Sequence, residues 1–477
     1  MRLDHLAVLS DAEIRAIHEA TIQILSETGV KVLGRHLRER LMEKSVPVDE
    51  AVQIVRLPRS VLEDALAQIP QLIEVFNREG KPAFILGDGT PRVAAGHNAV
   101  FWVDSETGER RPSQVTDVRR FARLCEQLTE IDMIGIPVMP QDVKVPRATL
   151  LHAVAATIEN SQKPIFFSTD NGVVNRGCIE LLRAAFGGNF DRQVYGISQL
   201  SPTSPLYLEE NVCEAILETL DTGVPLAILP EPNAGVSAPF TLAGLITMNN
   251  AECLACLAMI QLLKAGHPVM YANSWTTTDM RNGAALVGSI ETSVCRIAGA
   301  QLARFYKIPS HTTAPNSDNH AHDEQNAWEK TFSLMAAAGA GNDLIVNCGM
   351  FATGLTCSDE QLLMDAEIAG MCLRLCAGVE VTQETIAADL IQEIGSQGET
   401  YLTQPHTLKR LRSSEYYPTR LAVRGSFATW QADGGGDTYA LARERGIELA
   451  QHKVIGMDSE RQAKLQAVLE DVESQLI

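Results

Sequence analysis

The chain has 477 residues, with 40 Lys and Arg against 59 Asp and Glu and a formal charge of −19. That balance excludes nucleic acid as a main ligand, because phosphate binding needs a basic stripe, and it equally disfavours an anionic membrane surface. At 45% hydrophobic and 21% charged residues, the composition is globular, and the length suits one large α/β barrel with additions or two to three ordinary domains.

The N-terminal stretch MRLDHLAVLSDAEIR has no basic segment leading into an apolar one, so no secretory signal is expected. The most apolar windows are 253–263, too short to span a bilayer, and 332–350, which carries Asn342, Asp343 and Asn347. The expectation is a cytoplasmic protein. Ten cysteines are scattered along the chain, several in apolar helical runs, and read as small buried hydrophobes. Cys253-x-x-Cys256 lies inside AECLACLAMIQLL, a buried helix more than half a zinc site. Cys372 and Cys376 read the same way.

Ser10-Asp-Ala-Glu13 is a capping box, followed by Ile14, Ile17, Ile24 and Leu25 at helical spacing and closed by Gly29. Segments 83–86, 92–95 and 100–104 read as β, with turns at Gly87-Asp-Gly and Glu106-Thr-Gly. Residues 1–115 are taken as an N-terminal α+β extension. Then the rhythm changes. Thr116 opens a helix, and short apolar runs follow at 133–136, 165–167, 194–197, 226–229, 269–271, 309–313 and 344–346. Helical segments lie between them at 147–160, 172–186, 207–221, 241–265, 290–306 and 323–339. Seven strands alternating with helices point to parallel βα units and a (β/α)₈ barrel over 116–357 whose eighth strand is ambiguous. Residues 358–477 read as a helical C-terminal portion. Gly434-Gly-Gly436 is a turn and not a phosphate loop, because no Lys-Ser/Thr follows.

In such barrels the active site gathers where strands end. The ends here are polar: Ser168-Thr169-Asp170, Gln199-Leu-Ser201, Pro230-Glu231, Asn273-Ser-Trp275, 314–319 and Asn347-Cys348.

Several of these segments together resemble the trimethylamine methyltransferase family, large subunits that pass a methyl group to a corrinoid protein. The resemblance rests on TGERRPSQVTDVRRFARL (107–124), SPTSPLYLEE (201–210), SAPFTLAGLITMNNAECLA (237–255) and TTTDMRNGAALVGSIE (276–291). It continues through NSDNHAHDEQNAWEKT (316–331), GMFATGLTCSDEQLLMDAEI (349–368) and IQEIGSQGETYLTQPHT (391–407). It implies an enzyme with a TIM barrel fold. It also implies a loop position that decides the subtype: members acting on trimethylamine carry pyrrolysine in a pattern ending Ser-Asp, and matching that loop to Ala314-Pro-Asn-Ser-Asp318 puts Asn316 in its place. An Asn amide cannot act as the electrophilic imine thought to capture a neutral amine. Pyrrolysine-free members of known activity demethylate quaternary amines such as glycine betaine, proline betaine, carnitine or γ-butyrobetaine. A quaternary ammonium is already activated for in-line attack by Co(I), so the subunit needs only to position and desolvate it. The resemblance further implies a separate cognate corrinoid protein as the source of cobalamin, no cofactor or metal bound by this chain itself, and a homo-oligomer.

On this reading Asn316 is the catalytic candidate. It could hydrogen-bond a substrate carbonyl or carboxylate, or could be a turn residue. Glu231 could face the ammonium at a strand end, where the resemblance implies an uncharged residue in trimethylamine members; the alternative is a solvated loop charge. Trp275 and Tyr271 are aromatic-cage candidates that could equally pack, Tyr271 in a barrel layer. Phe351 is another cage candidate. Asp318, His320 and His322 form an Asp-x-His-x-His pattern that reads as substrate-binding before it reads as metal-binding. Arg281 is a possible carboxylate partner beside Asp279, and Cys348 a possible pocket wall. His97, Asn98 and Trp102 could reach over the pocket or lie in the core. Two other functions stay open: a metal-dependent hydrolase built on His320 and His322, and a non-catalytic quaternary-amine binding protein.

Overall fold

The computed structural model describes residues 5–168, 171–451 and 456–477. Eight parallel strands close into a barrel: β1 (Arg92–Ala95), β2 (Met133–Gly135), β3 (Ile165–Ser168), β4 (Gly196–Leu200), β5 (Leu226–Ile228), β6 (Val269–Asn273), β7 (Ser310–Thr313) and β8 (Leu344–Cys348). Each pairs with the next in sequence, and β8 returns to β1. A helix follows every strand: α1 (Val115–Gln127), α2 (Thr149–Asn160), α3 (Gly172–Ala185), α4 (Glu210–Thr219), α5 (Leu242–Leu263), α6 (Ile290–Tyr306), α7 (Glu324–Gly339) and α8 (Asp359–Ala377). Strands buried on both faces read as short continuous apolar runs, which is why seven of them are visible in the sequence.

The eighth strand is Arg92–Ala95, inside the stretch assigned to the extension. The barrel therefore runs from Arg92 to Ala377, wider at both ends than the expected 116–357. The sequence hides β1 because it opens on an arginine and sits among other β segments with no helix before it. Gly96 ends it with φ +82°, where a Cβ would lie 2.7 Å from the Gly135 carbonyl, so the β1–β2 crossing needs glycine.

An antiparallel hairpin, Ile73–Phe76 with Pro82–Leu86, plugs the end where the strands begin. Its Ile73, Val75, Phe84 and Leu86 pack against Met133, Phe166, Ile197, Ala227, Met270, Leu344 and Val346 inside the barrel. The opposite end, where the strands finish, is left to the loops. At the N-terminus the Ser10–Glu13 capping box forms as expected, and Gly29 ends that helical run with positive φ. The long C-terminal helix Ser459–Leu476 packs on α2 and α3, and Thr438–Ala450 on α1 and α8. Helix α5 is long and apolar enough to cross a membrane, but most of it is buried in the fold. The ten cysteines are free and buried.

A fully buried ion pair ties the loops after β7 and β8 together. Lys330 on α7 donates to Asp365 on α8 at 2.8 Å and also to the carbonyls of Pro315 and Met350. Asp365 in turn accepts from the Gly349 N–H at 2.7 Å and from Gln361 at 2.8 Å. Removing one partner strands the other charge. Lys330→Met is expected to lose about 3–5 kcal/mol of unfolding free energy in a denaturant titration, and Lys330→Met with Asp365→Leu to lose distinctly less. A loss from the double variant equal to the sum of the two singles contradicts the pairing.

Candidate active site

Strand parity decides which side chains enter the barrel. Phe166, Ile197, Ala227 and Met270 lie in the interior. Two residues further on, β3 and β4 present Ser168 and Gln199; four further on, the loops after β5 and β6 present Glu231 and Ser274. A polar layer thus lies directly above the apolar floor.

Gln199 bridges two histidines across the barrel. Its amide nitrogen meets His97 Nε2 at 3.0 Å and its oxygen meets His311 Nε2 at 2.9 Å. The same amide donates to Ser168 Oγ at 3.3 Å. The Phe166 ring lies 5.7 Å from His97 and 5.0 Å from His311, centroid to centroid. Burial pushes His97 down to about 4 and His311, with the other histidine beside it, down to about 3. Both are neutral at physiological pH.

A second chain runs along the ends of β5 to β8. Ser274 and Thr313 share a hydrogen bond of 3.2 Å. Asn316 Nδ2 donates to the Thr313 carbonyl at 3.2 Å, and Asn347 Nδ2 donates to Asn316 Oδ1 at 2.8 Å. Asn316 is 5% exposed, and its backbone N–H is held by Ser333 Oγ. Asn347 sits at a bulge in β8 with φ 135°. Bulges at barrel rims re-aim side chains, and this one delivers Asn347 to Asn316 with its own Oδ1 unpartnered among the described residues. Behind β7, Arg296 holds the Thr313 carbonyl at 2.6 Å.

Glu231 closes this chain. Its surface is open to solvent, yet protein surrounds it closely enough that desolvation raises its carboxyl above the ordinary range, while the Ser274 hydroxyl pulls it back. These two facts describe a carboxylate facing a recess. No neighbouring cation contributes to its shift.

The other candidates fall elsewhere. Tyr271 belongs to the outward set of β6: its hydroxyl donates to Asn250 at 3.0 Å and its ring stacks on Tyr306, so it packs against the helices and not in a barrel layer. Trp275 is 1% exposed in the same outer core, in contact with Gly299 of α6. Cys348 faces outward with Ala95 and Ile345, since the bulge reverses parity after Val346. Phe351 packs on Val103 and Ala352, its ring 4.5 Å from His322. Asp318 is a loop clamp, accepting from the N–H groups of Val287 and Gly288 at 3.0 Å each and from Thr353. Arg281 is exposed and pairs with Asp279 at 2.7 Å. His320 is exposed, while His322 packs between Phe351 and Tyr439 with tilted rings. The two histidines diverge, which removes the geometry behind the hydrolase reading. Among the described residues no three His, Cys, Asp or Glu converge on a common point. Trp102 lies in the core against Phe121. Of the polar strand ends, Thr169 and Asp170 lie outside the described residues.

The sequence marks Gln199, Ser274 and Asn347 only as parts of polar strand ends, gives His311 and Thr313 no role, and leaves His97 without a place. Parity was the available signal for Gln199 and Ser274, two and four residues beyond inward Ile197 and Met270, and Asn347 sits at the break in the alternation of β8; His97, His311 and Thr313 follow no inward apolar residue at that spacing.

A family model described as trimethylamine methyltransferase matches residues 1–475. A trimethylamine methyltransferase of Desulfitobacterium hafniense is 30% identical over 98% of this chain and 95% of its own length. A glycine betaine methyltransferase of the same species is 29% identical over 97% and 96%. Among solved structures, the monomethylamine methyltransferase of Methanosarcina barkeri aligns with a TM-score of 0.54 at 13% identity, covering 99% of this chain and 90% of that one. That likeness concerns the fold.

A carboxyl raised on folding binds its proton more tightly in the native state than in the unfolded one. Its ionised form therefore costs stability, a cost absent below the ordinary carboxylate range and fully present above the raised value. Glu231→Gln is expected to raise the thermal midpoint at pH 8, with the gain vanishing towards pH 4. A gain that does not change with pH contradicts this environment for Glu231.

Proposed function

Because the chain belongs to the trimethylamine methyltransferase family, we propose that it moves a methyl group from a quaternary amine to the Co(I) of a separate corrinoid protein. The observation that carries this is a desolvated carboxylate, Glu231, set in a ring of neutral polar groups: Ser274, Thr313, Asn316 and Asn347 on one side and Gln199 with two uncharged histidines on the other. Such a ring attracts a permanent cation and offers no charge to repel it.

The partner's cobalt supplies the nucleophile. The tasks left to this chain are to bind, orient and exclude water. Glu231 draws the ammonium to the mouth. The Asn316–Asn347 pair holds the recess wall rigid, and its spare acceptor, Asn347 Oδ1, meets no donor among the described residues. A quaternary amine leaves as a neutral tertiary amine, so no general acid is required, and none of the ring groups supplies one: both histidines are unprotonated at neutral pH. The attraction of Glu231 weakens as the nitrogen loses its charge, so a single carboxylate suits turnover better than several would. Asn316 in the loop after β7 accords with a substrate that needs no imine to capture it.

The open end also suits a protein partner. Val236, Phe240 and Met280, on the loops after β5 and β6, are 70%, 62% and 64% exposed. They gather around Gly235, where a Cβ would touch both the Phe240 ring and the Met280 sulfur. Apolar groups exposed together at a site mouth favour association.

Mixing the protein with Co(I)-corrinoid protein and a panel of quaternary amines is expected to shift the corrin spectrum with at least one of them and not with trimethylamine. Silence with every quaternary amine beside an active control overturns the reading. Phe240→Ala is expected to raise the KM for corrinoid protein about tenfold while the Kd for the amine, measured without corrinoid protein, stays constant. An unchanged KM places docking elsewhere.

A further inference from the structure

Arg296, on α6, is a buried charge that methyl transfer leaves without a task. It is 1% exposed. Burial lowers it to about 10, so it stays protonated at neutral pH. Asp318 offsets its charge through space, but the guanidinium makes no ion pair among the described residues. Its donors go to neutral groups: Nε to the Thr313 carbonyl at 2.6 Å, Nη2 to the Val287 carbonyl at 2.9 Å and Nη1 to Ser293 Oγ at 3.3 Å. An unpaired charge is costly to bury, and an apolar side chain would fill the same volume without that cost. What a guanidinium adds is a rigid fork that reaches two acceptors at once.

The two carbonyls belong to different parts of the barrel mouth. Thr313 ends β7, and its carbonyl also accepts from Asn316 Nδ2 at 3.2 Å. Val287 directly follows an antiparallel hairpin formed by Thr277–Asp279 and Ala284–Leu286. Asp318 grips the other side of the same turn, accepting from the N–H groups of Val287 and Gly288 at 3.0 Å each. Arg296 and the loop after β7 thus hold the outgoing strand of the hairpin by its backbone. The Glu231 loop holds the incoming strand. The N–H groups of Ser274 and Thr276 donate to the carbonyls of Pro230 and Pro232 at 3.3 and 3.1 Å, on either side of Glu231. The Ala234 N–H donates to the Thr276 carbonyl at 2.9 Å, and Thr278 Oγ1 donates to the Ala234 carbonyl at 2.6 Å. The hairpin therefore joins the two walls of the recess, with Glu231 at one root and Asn316 at the other. Its tip, residues 280–284, is exposed and carries Met280 of the apolar patch.

We propose that Arg296 is a positioning residue that couples the hairpin tip to the amine recess, so that docking of the corrinoid protein tightens amine binding and amine binding tightens docking. The inference rests on the methyl-transfer reading for the identity of the two ligands. A partner seated on the tip restrains the hairpin, and an amine arriving afterwards meets walls that are already ordered. Linkage makes the effect reciprocal.

The test is calorimetric titration of tetramethylammonium into the full-length protein, alone and saturated with Co(II)-corrinoid protein, whose cobalt lacks the electron pair for attack. Wild type is expected to bind the amine about tenfold more tightly in the complex. Arg296→Met is expected to bring that factor close to one. Arg296→Lys is expected to leave it low, because an ammonium keeps the charge but loses the fork. If Arg296→Met shows no cooperative thermal transition, Asp318→Asn, which releases one of the two N–H groups, is expected to lower the factor instead. A factor of one in wild type overturns the proposal. So does an undiminished factor in the folded variant, even with both affinities weakened, since that gives Arg296 a structural role alone. Methyl transfer to Co(I)-corrinoid protein, assayed on the same wild-type sample with the panel of quaternary amines, separates the two readings. Transfer with a factor of one sinks the coupling only, whereas no amine binding and no transfer sink the methyl-transfer reading and the coupling together.

Discussion

Glu231 places a carboxyl in a recess where one hydroxyl answers it and no cation does. Most of what surrounds the barrel mouth follows from that constraint. A charged neighbour would settle the carboxylate and remove its reason to attract a ligand. Instead the groups on the adjoining strand ends are neutral and bonded to one another, from Ser274 through Thr313 and Asn316 to Asn347. Even the two ring nitrogens that could carry protons, on His97 and His311, are kept uncharged by burial and joined through Gln199. The barrel mouth is thus preorganised at a cost in stability, as functional sites commonly are.

Rigidity comes from further out. The loops after β7 and β8 carry Asn316 and Asn347, and both are tied to the buried Lys330–Asp365 pair through Pro315, Met350 and Gly349. A buried pair of this kind contributes modestly to stability for what it costs to desolvate. Its placement fits a role in fixing geometry, because each partner also satisfies backbone groups of the loops it spans. At the closed end, the hairpin that brings Phe84 and Leu86 into the barrel gives the polar ring a dry floor.

How much of this could be read in the chain depended on range. Seven strands and six helices were legible because each is a local pattern. β1 was not, since Arg92–Ala95 lacks a preceding helix and resembles the hairpin strands beside it. Glu231 and Asn316 lie at strand ends, where the sequence reading looked for the site. Which way a side chain points is a matter of single-residue parity, and it left Trp275 and Cys348 open between site and packing and put Tyr271 in a barrel layer; all three pack against the helices. The bulge at Asn347 shifts that parity and leaves no mark in composition. The His97–Gln199–His311 contact joins residues more than a hundred positions apart, and no local signal announces it.

The central claim is that the mouth recognises a permanent cation through Glu231. Calorimetric titration of a trimethylammonium ligand and its neutral tert-butyl isostere, from pH 4 to pH 8, tests it most directly. The account predicts that the cation binds more tightly than the isostere, with an affinity that rises with pH as Glu231 ionises, and that Glu231→Gln removes both the preference and its pH dependence. Equal affinity for the two ligands, or a preference that survives the substitution, would contradict it.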